Sequence, residues 1–178
     1  MASAAVASAG MNEIAESITK ARTALASTPA AGPAPDRPAS AVVEDGLRCR
    51  VGGPDGWLLV TDMPAGVGGG ASAPTPGWIV RAAWASCAAT AIAMRAAELG
   101  IKLTRLEATA ESESDMRGLL GFDDVTPGPQ TARMRIEIAA DGANEQQLRE
   151  LVEWADRHSP VCDALTRAVP AELEVVVG

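Results

Sequence analysis

With 178 residues, 47% of them hydrophobic, the chain can form one domain with a real core and a short appendage, which excludes a disordered or purely charged interaction segment. Aromatics make up 3%, with no Tyr and one Phe, so the core must come mainly from Ala, Val, Leu, Ile and Met. A net charge of -8 repels phosphate backbones and anionic bilayers, and no basic cluster offsets it, so neither nucleic acid nor membrane is an expected partner.

The opening MASAAVASAG carries no basic segment and no long apolar run, so it is not read as a signal peptide. It reads as a disordered start or as an over-extended gene start ahead of Met11. From Met11 to Ser27, Ile14, Ile18, Ala21 and Leu25 share one helical face, and the Pro/Ala-rich stretch TPAAGPAPDRPAS then forbids further helix. Residues 1–41 are therefore an N-terminal helix on a linker, and 42–178 the main domain. In that domain Leu47, Cys49 and Val51 alternate with Arg48 and Arg50, which is strand periodicity, with the arginines on the solvent side. GGPDG is a turn, and Trp57 to Thr61 the returning strand. PAGVGGGASAPTPG reads as a long flexible loop; it lacks the spacing of a phosphate-cradling motif.

Thr75 and Pro76 open a helix that closes at Gly100. Being apolar nearly all round, it is expected to be the enclosed central helix; Arg81, Ser86 and Thr90 make it too weak for a membrane span. Two strands follow, with Leu106, Ala108 and Ala110 on one face of the first and Met134, Ile136 and Ile138 on one face of the second. DMRGLLGFDDVTPGPQ between them is a loop or short helical excursion. Asn144 caps a helix bearing Leu148, Leu151, Val152 and Ala155, Ser159-Pro160 breaks and restarts it, and Glu172 to Val177 reads as a closing strand. The order predicts an α+β fold of antiparallel strands covering long helices.

Three cysteines are too few, and odd in number, for a secreted disulfide framework, which leaves the cytoplasm as the expected compartment. Cys49 belongs to the apolar face of its strand. Cys87, in mid-helix, is open to two readings: a small buried core residue, or a reactive thiol supplied with a cation or donor from another segment. Cys162 takes the third position of a helix capped by Ser159, where unpaired N–H groups lower a thiol's pKa, although Asp163 opposes this. His158 is the sole histidine, so neither a catalytic triad nor a metal site with recognised spacing can be assembled, and no cofactor is expected.

The stretch PTPGWIVRAAWASCAATAIAMRAAELGIKLTRLEATAE resembles the central helix and following strand of the OsmC/Ohr-like family, RGLLGFDDVTPGPQTARMRIEI its next loop and strand, and ELVEWADRHSPVCDAL its second helix pair. The resemblance implies an intertwined homodimer and a thiol peroxidase acting on organic hydroperoxides. Cys87 would be the peroxidatic residue and Cys162 the resolving one, with the disulfide reopened by an external dithiol. An apolar rim of Trp78, Trp84 and Met94 would suit organic substrates. The family's orienting glutamate is replaced by Gly77 and its hairpin arginine falls in a stretch that here contains Pro54, leaving Arg48 or Arg50 to serve as the activating cation. The alternative is a non-catalytic relative that binds a small apolar ligand in the dimer cleft.

Overall fold

The computed structural model describes residues 10–178; the expectation for the chain's first residues falls mostly outside that range. The described chain divides into two compact units, one of Glu16–Ala82 and one of Ala83–Gly178 joined by residues before Glu16. Two helices run across the division. They are α1 (Met11–Ser27), at the expected place, and α2 (Pro76–Leu99).

The smaller unit is built on an antiparallel sheet in the order β1-β2-β3, from Ser40–Asp45, Arg48–Gly52 and Leu58–Thr61. The turn between β2 and β3 is the expected GGPDG, closed by the Gly56 N–H donating to the Gly53 carbonyl at 3.2 Å. β1 has no counterpart among the sequence-based elements. Its signal was the Asp45-Gly46 pair, a tight-hairpin dipeptide, and Gly46 does adopt a positive φ of 54°.

The Gly-rich loop after β3 is organised, contrary to the expectation of a flexible connection. Asp62, buried in the fold, is its centre. One carboxylate oxygen accepts from the backbone N–H groups of Met63 and Gly70, at 2.7 and 3.3 Å. The other accepts from the Ser72 N–H at 3.0 Å and from its hydroxyl at 2.7 Å. A Cβ on Gly69 would lie 1.9 Å from the Met63 carbonyl oxygen, so only glycine permits that approach. The loop's amides therefore do wrap an anion, but the anion is the chain's own carboxylate. These hydrogen bonds, led by those from Ser72, hold the Asp62 pKa down at about 2.

In the larger unit, β4 (Lys102–Ser114) pairs antiparallel with β5 (Pro129–Asp141). The two apolar faces read from the sequence meet directly: Leu106 opposes Ile138, Ala108 opposes Ile136 and Ala110 opposes Met134. On the other face Glu107 and Glu137 lie opposite each other, a repulsive pair that Arg105 bridges by ion pairs to both. A four-residue helix α3 (Met116–Leu119), capped by Asp115, occupies the intervening loop.

α2 ends as its sequence demands. Gly100 takes a φ of 68°, its N–H reaches the Ala97 carbonyl, and the Ile101 N–H reaches that of Ala96. α4 (Glu145–Arg157) begins with a reciprocal cap in which Asn144 and Gln147 each accept from the other's backbone N–H at 2.9 Å. Ile92 and Ala96 of α2, Leu103 of β4, and Leu151 and Ala155 of α4 form the core, all 3% exposed or less.

Two expectations are corrected. α2 is not enclosed by its own chain: only Ala88, Ile92, Ala96 and Ala97 are buried, and 11% of its most apolar window. By length and composition it is also the one helix among the described residues that could cross a membrane. Second, Glu172 to Val177 forms no strand, and Leu173 and Val175–Val177 stand exposed. A strand exists only where an edge pairs its backbone, and none pairs with this segment.

Candidate functional site

α4 leads into the site. One residue past its last turn, Ser159 caps α5 (Pro160–Thr166): its hydroxyl accepts the Cys162 N–H at 3.2 Å, and Pro160 takes the first helical position, where a missing N–H costs nothing. The restart expected at Ser159-Pro160 is thus observed. Ser159 is also one of the few polar residues fully buried, at 2% exposure.

The reason for that burial lies on α2. The Ser159 hydroxyl donates to Cys87 Sγ across 3.2 Å, joining residues 72 positions apart. A serine hydroxyl has one proton and two lone pairs; here it accepts from the Cys162 N–H and donates its proton to the sulfur. Cys87, Cys49 and Cys162 are each half-buried, and none is joined in a disulfide. Ser159 is thus a donor from another segment placed beside Cys87. Sequence reasoning saw this residue only as a helix cap.

Cys162 differs from expectation. The start of α5 is a position expected to lower a thiol pKa, but the pKa of Cys162 is raised. Burial is the largest cause. Next comes Asp156, whose Oδ1 accepts the thiol proton at 3.2 Å and whose charge disfavours a second anion; Asp163 adds to this, and a hydrogen bond from Trp84 only partly offsets it. Cys162 is thereby held as a neutral thiol, facing an exposed carboxylate. His158 takes no part. Its Nδ1 lies 2.7 Å from the Trp154 carbonyl and its ring stacks on Trp154, with Arg95 over the same indole.

Arg48 belongs to the smaller unit. There it is half-buried rather than solvated, and its guanidinium donates to the Ser72 hydroxyl at 2.7 Å, the same hydroxyl that donates to Asp62. Arg50 is tied to Glu44 at 2.7 Å. One serine thus links the Cys87 sulfur to the Cys162 backbone N–H, the Cys162 sulfur faces Asp156, and Arg48 is held by Ser72, whose hydroxyl rests on Asp62. No cluster of three or more His, Cys, Asp or Glu side chains able to hold a metal occurs among the described residues.

The chain is an α+β protein of antiparallel strands with a cysteine on its long helix and another just past a helix break. Comparison narrows this description. The family profile described as OsmC-like protein matches residues 68–174, and the chain belongs to the OsmC-like family. Among solved structures the fold is similar to an organic hydroperoxide resistance protein OsmC from Legionella pneumophila, with TM-score 0.56, 23% identity, and coverage of 75% of this chain and 91% of that one. It is similar also to an OsmC-like protein from Mycoplasma pneumoniae, with TM-score 0.62, 14% identity and coverage of 74% and 87%. An organic hydroperoxide resistance protein from Elizabethkingia anophelis gives TM-score 0.56 and 18% identity over 76% and 91%. No curated protein matches.

Proposed function

We propose that this chain is a thiol-dependent organic hydroperoxide reductase serving oxidative-stress defence in the cytoplasm, with Cys87 as its peroxidatic residue and Cys162 as its resolving residue. The observation that carries this reading is the buried Ser159 hydroxyl that links the Cys87 sulfur to the backbone of Cys162. Family membership and relatives described as organic hydroperoxide resistance proteins support it.

In the first step the Cys87 thiolate attacks the outer peroxide oxygen. The S–O bond forms, the O–O bond breaks, sulfur is oxidised to the sulfenic acid, and the departing alkoxide takes a proton from water to become an alcohol. Cys162 then attacks the sulfenic sulfur, a disulfide forms, and the hydroxyl leaves as water with the Cys162 proton. An external dithiol reduces the disulfide by exchange and is itself oxidised. The family resemblance gives Arg48 as the candidate cation for activating the thiolate. The working form is a homodimer, a state favoured by the apolar surface that α2 leaves uncovered.

The test is consumption of cumene hydroperoxide with dithiothreitol. Cys87→Ser should abolish turnover, Cys162→Ser should leave a trappable sulfenic acid on Cys87, and Arg48→Ala should slow the first step. Equal, slow consumption by wild type and Cys87→Ser, with unchanged thiol titration after peroxide challenge, would leave the non-catalytic ligand-binding relative as the correct description.

A further inference from the structure

We propose that Ser159 is a catalytic residue whose hydroxyl donates to the Cys87 sulfur and holds it aimed for attack. The proposal rests on the assignment of Cys87 as the peroxidatic thiol and goes beyond it, because Ser159 lies outside the cysteine–arginine set.

Three observations converge on this hydroxyl. Burial is the first: a polar side chain at 2% exposure must have its hydrogen bonds met within the protein, and those of Ser159 are met by Cys162 and Cys87 alone. Direction is the second. The hydroxyl accepts from the Cys162 N–H and gives its single proton to Cys87 Sγ across 3.2 Å. Rigidity is the third: Leu151 and Ala155, in the core, anchor the last turns of α4 just before Ser159, while Ile92 and Ala96 anchor α2 beyond Cys87. The hydroxyl and the sulfur thus approach each other from two braced elements, a condition for a positioned catalytic contact. A cap alone would need neither the burial nor the bond to sulfur.

As the thiolate attacks, its charge moves onto the transferred oxygen and then onto the leaving alkoxide. The Ser159 proton restrains the sulfur in the ground state and lies beside the atom being transferred. It is not itself consumed, and the alkoxide is protonated by water.

Full-length wild type, Ser159→Ala, Ser159→Asp and Ser159→Thr would be treated with cumene hydroperoxide, and the Cys87 sulfenic acid trapped with dimedone and located by peptide mass. Iodoacetamide alkylation of Cys87 would be followed in parallel. Alanine removes both cap and donor, aspartate keeps the cap but has no proton to give, and threonine keeps both. Ala and Asp should each react about tenfold more slowly in both assays, the factor one charge-assisted hydrogen bond of ordinary strength carries, and Thr should recover most of the rate. An Asp variant as fast as wild type, or a Thr variant as slow as Ala, overturns the proposal. Should the Ala variant fail to fold, the Asp and Thr pair still decides. If wild type forms no sulfenic acid, the peroxidatic assignment fails, and the alkylation series still judges Ser159.

Discussion

Leu151→Ala tests the brace on which the site depends. Leu151 is 1% exposed and packs with Ile92, Ala96, Leu103 and Ala155, so it joins α4 to both α2 and β4. Truncation removes three carbons from a site whose neighbours lie on three elements and cannot all collapse inward. The cost should be about 3 kcal/mol, within the range of roughly 2–5 for buried Leu→Ala changes. With a urea m-value of about 2 kcal/mol per molar, the unfolding midpoint should fall by about 1.5 M. Far-UV circular dichroism during urea titration, at one fixed protein concentration for all variants, measures this. Leu148→Ala provides the comparison, since Leu148 lies on the same helix but is only partly buried. It should cost clearly less. A Leu151→Ala midpoint within about 0.3 M of wild type, or a larger loss for Leu148→Ala, would refute the claim that this cluster fastens α4 to α2.

Two further outcomes follow from the electrostatics. Asp156→Asn removes the negative charge beside the Cys162 thiol and brings in an amide that can donate to a thiolate, so the thiolate becomes easier to form and iodoacetamide should modify Cys162 several-fold faster at neutral pH; an unchanged or slower rate would show that Asp156 does not govern this thiol. Asp62 has a folded-state pKa depressed to about 2, so its stabilisation is fully present above the ordinary Asp value of about 3.9 and is lost as pH falls through about 2. Pepsin cleavage of the loop from Met63 to Pro74 should therefore accelerate from pH 4 to pH 2 in wild type. It should be fast and nearly level in Asp62→Asn, and identical profiles would remove the carboxylate as the loop's organiser.

Periodicity was legible wherever one face of an element meets the core. Leu106, Ala108 and Ala110 were assigned one face, and they pair across the ladder with Ile138, Ile136 and Met134 because a strand's side chains alternate strictly. Helix ends were equally legible at Thr75, Gly100, Asn144 and Ser159, since each is satisfied by chain within a few residues. Local signals failed where the deciding partner is distant. The glycine run after β3 looked mobile because its organiser, Asp62, precedes it and closes contacts eight and ten residues ahead. The apolar run at the C-terminus looked like a strand because composition says nothing about whether an edge is available.

The two cysteines show the same division at closer range. For Cys162, position in α5 argued for a lowered pKa, but a helix terminus offers about half a charge spread over several N–H groups. Burial outweighs that, and Asp156 adds a whole charge of opposite effect at hydrogen-bond distance, six residues back across the helix break. For Cys87, the physics of a mid-helix thiol specified the kind of help it needed without saying where it would come from. Ser159 concealed itself because its capping role was a sufficient local explanation. A hydroxyl that accepts from a helix N–H still has a proton to place, and once that side chain is buried the proton must find an acceptor inside the fold. Here it finds the Cys87 sulfur. A buried cap is therefore a different object from an exposed one: its second hydrogen bond marks the tertiary contact that matters for chemistry.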